Sequence, residues 1–206
     1  MDNIYMKYYR LSHRLMLLLY LNILWVLFSL LGLVFFGVVP ATLAMFSVVR
    51  EWVIKENEMK VLPKFWETYK NNFIKGNIFA IIIFVVGQLL LVFLQILQTN
   101  TSFFYLLASG IVLGMMVAYL LFLIYLFPIY VHFNLRFQAY LQWPLVMAIS
   151  HPILSLALFL AVGILNVLLF LVSPLLVMLL SPSLTACIIT SLVSKAFPIY
   201  ERKLVN

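Results

Sequence analysis

Three histidines and one cysteine have the strongest claim to metal or nucleophile chemistry in this chain, and their spacing supports neither. His13, His132 and His151 stand far apart, with none of the short intervals that bring two ligands to one ion. Cys187 is the single cysteine, so it forms no intrachain disulfide and no metal site; a small buried side chain is its expected role. No Ser-His-Asp set, carboxylate pair or Gly-rich phosphate loop occurs. The sequence therefore predicts no catalytic residue, no metal site and no cofactor. What it does offer is hydrogen bonding inside an apolar phase. Asn22, Ser29, Gln88, Gln95 and Asn166 lie in long uncharged runs. Such residues bond neighbouring helices at about 1 kcal/mol or less per bond, or touch a passing solute. Helix packing is the expected role.

Those runs dominate the chain. Of 206 residues, 66% are hydrophobic and 9% charged, and the mean hydropathy is +1.16. A soluble domain has about a quarter of its residues charged, so the hydrocarbon core of a membrane must be the solvent here. Spanning segments are then helices or closed barrels. Continuous apolar runs, with no alternation, select helices. The fold class predicted is an all-α integral membrane bundle forming a single domain over residues 1–206.

Charge-free intervals set the spans. Leu15–Val49 has 35 residues without Asp, Glu, Lys or Arg, and the intervals before and after Arg136 have 60 and 58. Each of the last two holds two spans of about 20 residues. The breaks are Gln98–Ser102 and Ser173-Pro174, and Pro182 should kink the last helix. Gly37 and Pro40 divide the first interval, with Pro40 suited to a first helical turn. Expected spans are 15–36, a short one from Pro40 to about Glu56, then 78–97, 103–127, 153–172 and 175–194. With six helices and both termini cytoplasmic, all 13 Lys and Arg lie inside. If the first interval spans once, three fall outside, so the positive-inside rule favours six.

The substantial hydrophilic stretch, 50–77, is expected to be a cytoplasmic loop carrying an amphipathic interfacial helix over 63–75. Phe65, Trp66, Tyr69 and Phe73 share one face while Lys64, Glu67, Lys70 and Lys75 lie elsewhere. Arg50, Trp52, Phe65, Trp66, Tyr69, Lys70, Asn72 and Phe73 form the candidate interfacial or partner-docking set. The net charge of +7 is spread over short segments between spans. That distribution speaks against nucleic acid and for anionic lipids of the inner leaflet as partners. Gly110 and Gly114 form a small-xxx-small pair that signals close helix packing. A faint echo links Asn22 and Pro40-Ala-Thr-Leu-Ala to Asn166 and Pro182-Ser-Leu-Thr-Ala.

Tyr20-Leu-Asn22-Ile-Leu-Trp25, Gly37-Val-Val-Pro40-Ala-Thr-Leu-Ala44 and the stretch from Phe65 through Tyr69-Lys-Asn-Asn-Phe73 resemble, in order and spacing, the YesL-like family of Gram-positive bacteria. These motifs occupy the first third of the chain, and the likeness in length and span pattern covers most of it. The family is a domain of unknown function, often encoded beside sugar-uptake ABC-transporter genes or glycan-degrading enzymes. The resemblance implies a multi-pass plasma-membrane protein linked to carbohydrate uptake, with a sugar ABC transporter as partner. It transfers no catalytic residue. The function expected is that of a non-enzymatic accessory component; the alternative is a carrier for a neutral solute such as a sugar. A water-filled cavity at Asn22 and Asn166 would favour the carrier, and a dry bundle the accessory role.

Overall fold

The computed structural model describes residues 2–55, 60–99 and 102–197. The tail carrying Arg202 and Lys203 lies outside them. Among the described residues eight helices follow one another: α1 Asp2–Leu31, α2 Val38–Lys55, α3 Val61–Asn71, α4 Phe73–Leu97, α5 Phe103–His132, α6 Phe137–Ser150, α7 Pro152–Val172 and α8 Pro174–Val193. Five are long and apolar enough to cross a bilayer: Arg14–Leu31 of α1, then α4, α5, α7 and α8. The protein is a multi-pass helical membrane protein. The expected second span, α2, is not one of the five. Its 18 residues include Arg50, Glu51 and Lys55, too much charge for a lipid-facing helix.

α2 is instead the hub. It packs against α1, α3, α4, α5 and α8. Ala41, Ala44, Val48 and Val49 are fully buried, and Leu43, Met45 and Phe46 nearly so. Two alanines in one turn let neighbouring backbones come close. Pro40 sits in the first turn, where its missing N–H costs nothing. It is seated against Gly76 of α4, where a β-carbon would lie 3.0 Å from its ring. The turn before α2 is equally close. A β-carbon on Gly37 would lie 2.3 Å from the Ser29 carbonyl oxygen, so glycine is required for this hairpin to shut. Leu33 and Val34 in the same turn take left-handed backbone, at φ 54° and 63°, which is costly for non-glycine residues.

The described residues of the hydrophilic stretch are helical almost throughout. α3 runs over 61–71, not 63–75, because the chain breaks at Asn72 (φ −107°, ψ 10°) and restarts as α4 at Phe73. The Asn72 amide fixes the break: Nδ2 donates to Thr68 O at 2.9 Å, and Oδ1 accepts from the Tyr130 hydroxyl of α5 at 2.8 Å. α6 was not foreseen, since 128–152 reads as a connection around Arg136. Its buried residues Tyr140, Pro144, Met147 and Ala148 have helical spacing, a signal present in the sequence. At about 1.5 Å per residue its 14 residues reach about 21 Å, too short to span.

Contacts between elements place the helix ends. Ser29 meets Gly37, closing the α1–α2 hairpin. Lys64 of α3 lies 3.5 Å from Glu51 of α2. Arg50 reaches the last turn of α5, and Phe197, just past α8, stacks on His132 at 4.0 Å. The C-terminal ends of α2, α5 and α8 and the whole of α3 therefore share one end of the bundle. Arg50, Lys60, Lys64, Lys70, Lys75, Arg136 and Lys195 belong to these elements or their flanks. The turns at the opposite end, 32–37, 98–102 and 173, contain no charged residue.

Candidate functional site

Proline in a helix interior removes one N–H and pushes aside the carbonyl four residues back, leaving nearby backbone polar groups in need of partners. In α8 that proline is Pro182, and the partners of the backbone beside it come from Asn22 of α1. Asn22 of α1 is 2% exposed. Its Nδ2 donates to Leu179 O at 2.6 Å and to Ser183 Oγ at 2.7 Å, while its Oδ1 accepts from the Ser183 backbone N–H at 3.0 Å. One amide thus brackets the carbonyl and the N–H that a straight helix would pair with each other. On the other side Ser181 Oγ donates to Asn166 Oδ1 at 2.5 Å, and Asn166 Nδ2 returns to Val162 O of its own helix at 2.8 Å. Both asparagines bond residues that flank Pro182, whereas Pro40 stands in the first turn of its helix.

A cavity of about 290 Å³ lies beside this kink, lined by Trp25, Thr42, Phe127, Asn166, Ser181 and Thr185 among others. Asn22 faces away from it, toward a separate apolar pocket with Leu19, Ile23 and Met178. The cavity's polar groups are mostly turned on one another. Trp25 Nε1 donates to Thr42 Oγ1 at 3.0 Å, and that hydroxyl donates to Val38 O at 2.7 Å. Thr185 Oγ1 is buried without a partner among the described residues.

The aromatic face of α3 turns inward. Phe65 is 0% and Tyr69 6% exposed, because their partner is Phe28 of α1, with ring centroids 5.0 Å from each. The Tyr69 hydroxyl donates to Phe28 O at 3.1 Å, and burial pushes its pKa above the ordinary 10.0, so it remains a protonated donor. Trp66 keeps half its surface exposed, and Lys70 projects outward. Phe73, in α4, is half-buried beside Tyr69 at 5.5 Å. Trp52 is half-buried on the last turns of α2. The set expected to lie on the bilayer thus mainly clamps α3 onto α1 and α2. Sequence reading missed Phe28 because nothing in an apolar run marks which phenylalanine will meet a distant helix.

The remaining candidates fall apart from these centres. Gln88 and Gln95 are exposed on α4 and meet neither asparagine. The buried residues of α4, Gly76 and Phe79, lie near its start, so its later turns project away from the core. Gly110 and Gly114 have open space where a β-carbon would be, so no helix packs closely on them among the described residues. Pro174 opens α8 after Ser173, whose hydroxyl accepts from Leu175 N at 3.3 Å.

Comparison with known proteins agrees with this architecture. A family model described as "Protein of unknown function, DUF624" matches residues 18–94, the stretch holding Asn22, α2 and α3. The chain is 34% identical to the uncharacterized protein YesL of Bacillus subtilis (strain 168) over 183 residues, 88% of this chain and 85% of YesL. It is 32% identical to YteU over 133 residues and 31% identical to YesV over 134, both uncharacterized proteins of the same organism. These two matches cover 64% and 65% of this chain, and 59% of YteU and 64% of YesV, under two thirds of either relative. No solved structure matches the chain. With YesL matched over most of both lengths, and the family model falling on the hub helix and its neighbours, the chain belongs to the DUF624, or YesL-like, family of proteins of unknown function.

Proposed function

We propose that the protein is a non-enzymatic accessory component of a carbohydrate-uptake system in the bacterial plasma membrane, with the basic end of its bundle in the cytoplasm. The observation that carries the reading is how fully the Asn22 amide is used within the bundle. Asn22 makes three hydrogen bonds, all to α8, and spends its amide on the Pro182 kink, leaving little for a solute. The link to carbohydrate uptake and to a sugar ABC transporter rests on the family resemblance. Anionic inner-leaflet lipids fit the basic end.

Capture of the tagged protein from mild detergent should recover transporter subunits at fixed stoichiometry. Their absence after crosslinking in intact cells would sink the accessory reading. A carrier for a neutral solute is the second reading, favoured by the cavity beside Asn166 and its buried Thr185 hydroxyl. Purified protein in liposomes is expected to show no saturable uptake of labelled mono- or disaccharides; uptake abolished by Asn166→Leu would install the carrier in its place.

Orientation is a separate expectation. On a Cys187→Ser background, an impermeant thiol reagent applied to intact cells should label Ser102→Cys and spare Lys70→Cys, two exposed positions near opposite ends. The reverse pattern would invert the topology.

A further inference from the structure

A second cavity lies at the basic end, between α2, α3, the start of α4 and the end of α5. It measures about 330 Å³, and Arg50, Lys64, Thr68, Asn72, Lys75 and Asn134 are among its lining residues. Three separate elements bring a cation to this one cleft, and among the described residues no Asp or Glu lines it. Among the described residues the carboxylate paired with a lining cation is that of Glu51, 3.5 Å from Lys64 Nζ. Arg50 is held in place by two hydrogen bonds: Nε donates to His132 Nδ1 at 3.1 Å and Nη1 to Val131 O at 3.0 Å. Since a guanidinium has five N–H donors in a fixed fork, such anchoring orients the group and leaves donors to spare. Neutral groups sit beside it: the Thr68 hydroxyl donates to Ser47 Oγ at 3.2 Å, which leaves the Ser47 hydroxyl its own hydrogen to give, and the Asn72 amide donates one of its two N–H groups to Thr68 O at 2.9 Å.

Like charges gathered this way repel one another unless an anion sits between them. Lys75 lies three residues into the apolar helix α4 and Arg50 a turn and a half from the end of α2, so the cleft falls where an apolar bundle meets water. Planar and point-charge donors around a polar pocket suit tetrahedral phosphoryl oxygens. From this geometry we infer that the cleft binds a phosphoryl group through Arg50, Lys64 and Lys75, with the lining Ser47 and Asn72 as neutral partners. The group is carried by an anionic phospholipid headgroup or by a soluble phosphate. The site does not depend on the accessory role.

Two arms distinguish the sources. In the first, protein in nanodiscs of equal phosphatidylglycerol and phosphatidylcholine is released into native mass spectrometry. Retained phosphatidylglycerol should exceed phosphatidylcholine by about tenfold and fall toward parity in Lys64→Gln/Lys75→Gln. In the second, inorganic phosphate is added to protein in zwitterionic micelles against chloride of equal ionic strength. A rise in thermal midpoint that the variant loses would mark a soluble ligand. Lys75→Gln alone, at an exposed position, gives the same comparison should the double variant fail to fold. A preference in either arm that the variants weaken supports the site. No preference in both arms, or one equal in wild type and variants, overturns it.

Discussion

Phe65→Ala lowers the stability of the purified protein by about 3–4 kcal/mol, the usual loss for a buried phenylalanine. Phe65 has no exposed surface and stands between α2 and Phe28, so truncation leaves a void that one short helix cannot collapse. For a chain of this size that is a fall of about 6–16 °C in thermal midpoint. Trypsin cleavage at Lys64 and Lys70 should accelerate as α3 detaches. The informative contrast is Trp66→Ser. Trp66 is half exposed and should cost under about 1 kcal/mol in micelles, as partly exposed side chains usually do. If α3 were held by lipid instead of by α1, the Trp66 substitution would be the more damaging of the two. That ranking would refute the clamp.

The second large effect belongs to Asn22→Leu, expected to cost about 2 kcal/mol, or about 4–8 °C. A single interhelical bond in a membrane protein averages well under 1 kcal/mol, but this amide makes three, two of them to backbone. Leucine would leave the Leu179 carbonyl and Ser183 N–H unpaired in an apolar interior, and that penalty is the main cost. The mechanism predicts coupling. With Pro182→Ala, α8 can complete its own ladder, so Asn22→Leu should cost markedly less in that background. Strictly additive losses in the double-mutant cycle would show that Asn22 does not act through the kink. Asn166→Leu, with one bond to Ser181 and one within its own helix, should cost about half as much.

These two predictions show where reading the chain succeeded and where it stopped. The breaks at Gly37, Gln98–Ser102 and Ser173-Pro174 were legible because glycine, proline and polar turns interrupt apolar runs, and the helices end within a few residues of them. Pro182 was legible as a disturbance in the last helix. Asn22 was legible as a polar residue needing a partner in lipid. That the partner is the backbone beside Pro182, 157 and 161 residues away, was not. Periodicity showed that Phe65 and Tyr69 share a face, but a bilayer and the side of another apolar helix offer nearly the same transfer free energy. Nothing local distinguishes them. The α6 face is equally legible, since Tyr140, Pro144, Met147 and Ala148 keep helical spacing after the lone charge at Arg136.

Composition by itself determined that the protein lives in a membrane, and its continuous apolar runs that the spans are helices, since in lipid every backbone polar group must be satisfied within the chain. Charge spacing determined which segments fall at its ends. Tertiary structure alone decided that α2, a long helix left out of the five apolar spans, is the hub. It likewise decided that Asn22 pairs the α8 backbone beside Pro182 and that Arg50, Lys64 and Lys75 share a cleft. The physical reason is common to all three. Hydropathy depends on the identity of a residue and its near neighbours, whereas a hydrogen bond or a charge cluster depends on which helix packs beside which. In an apolar phase that choice is made by the shape of small residues and the geometry of a few polar groups, acting across the whole length of the chain.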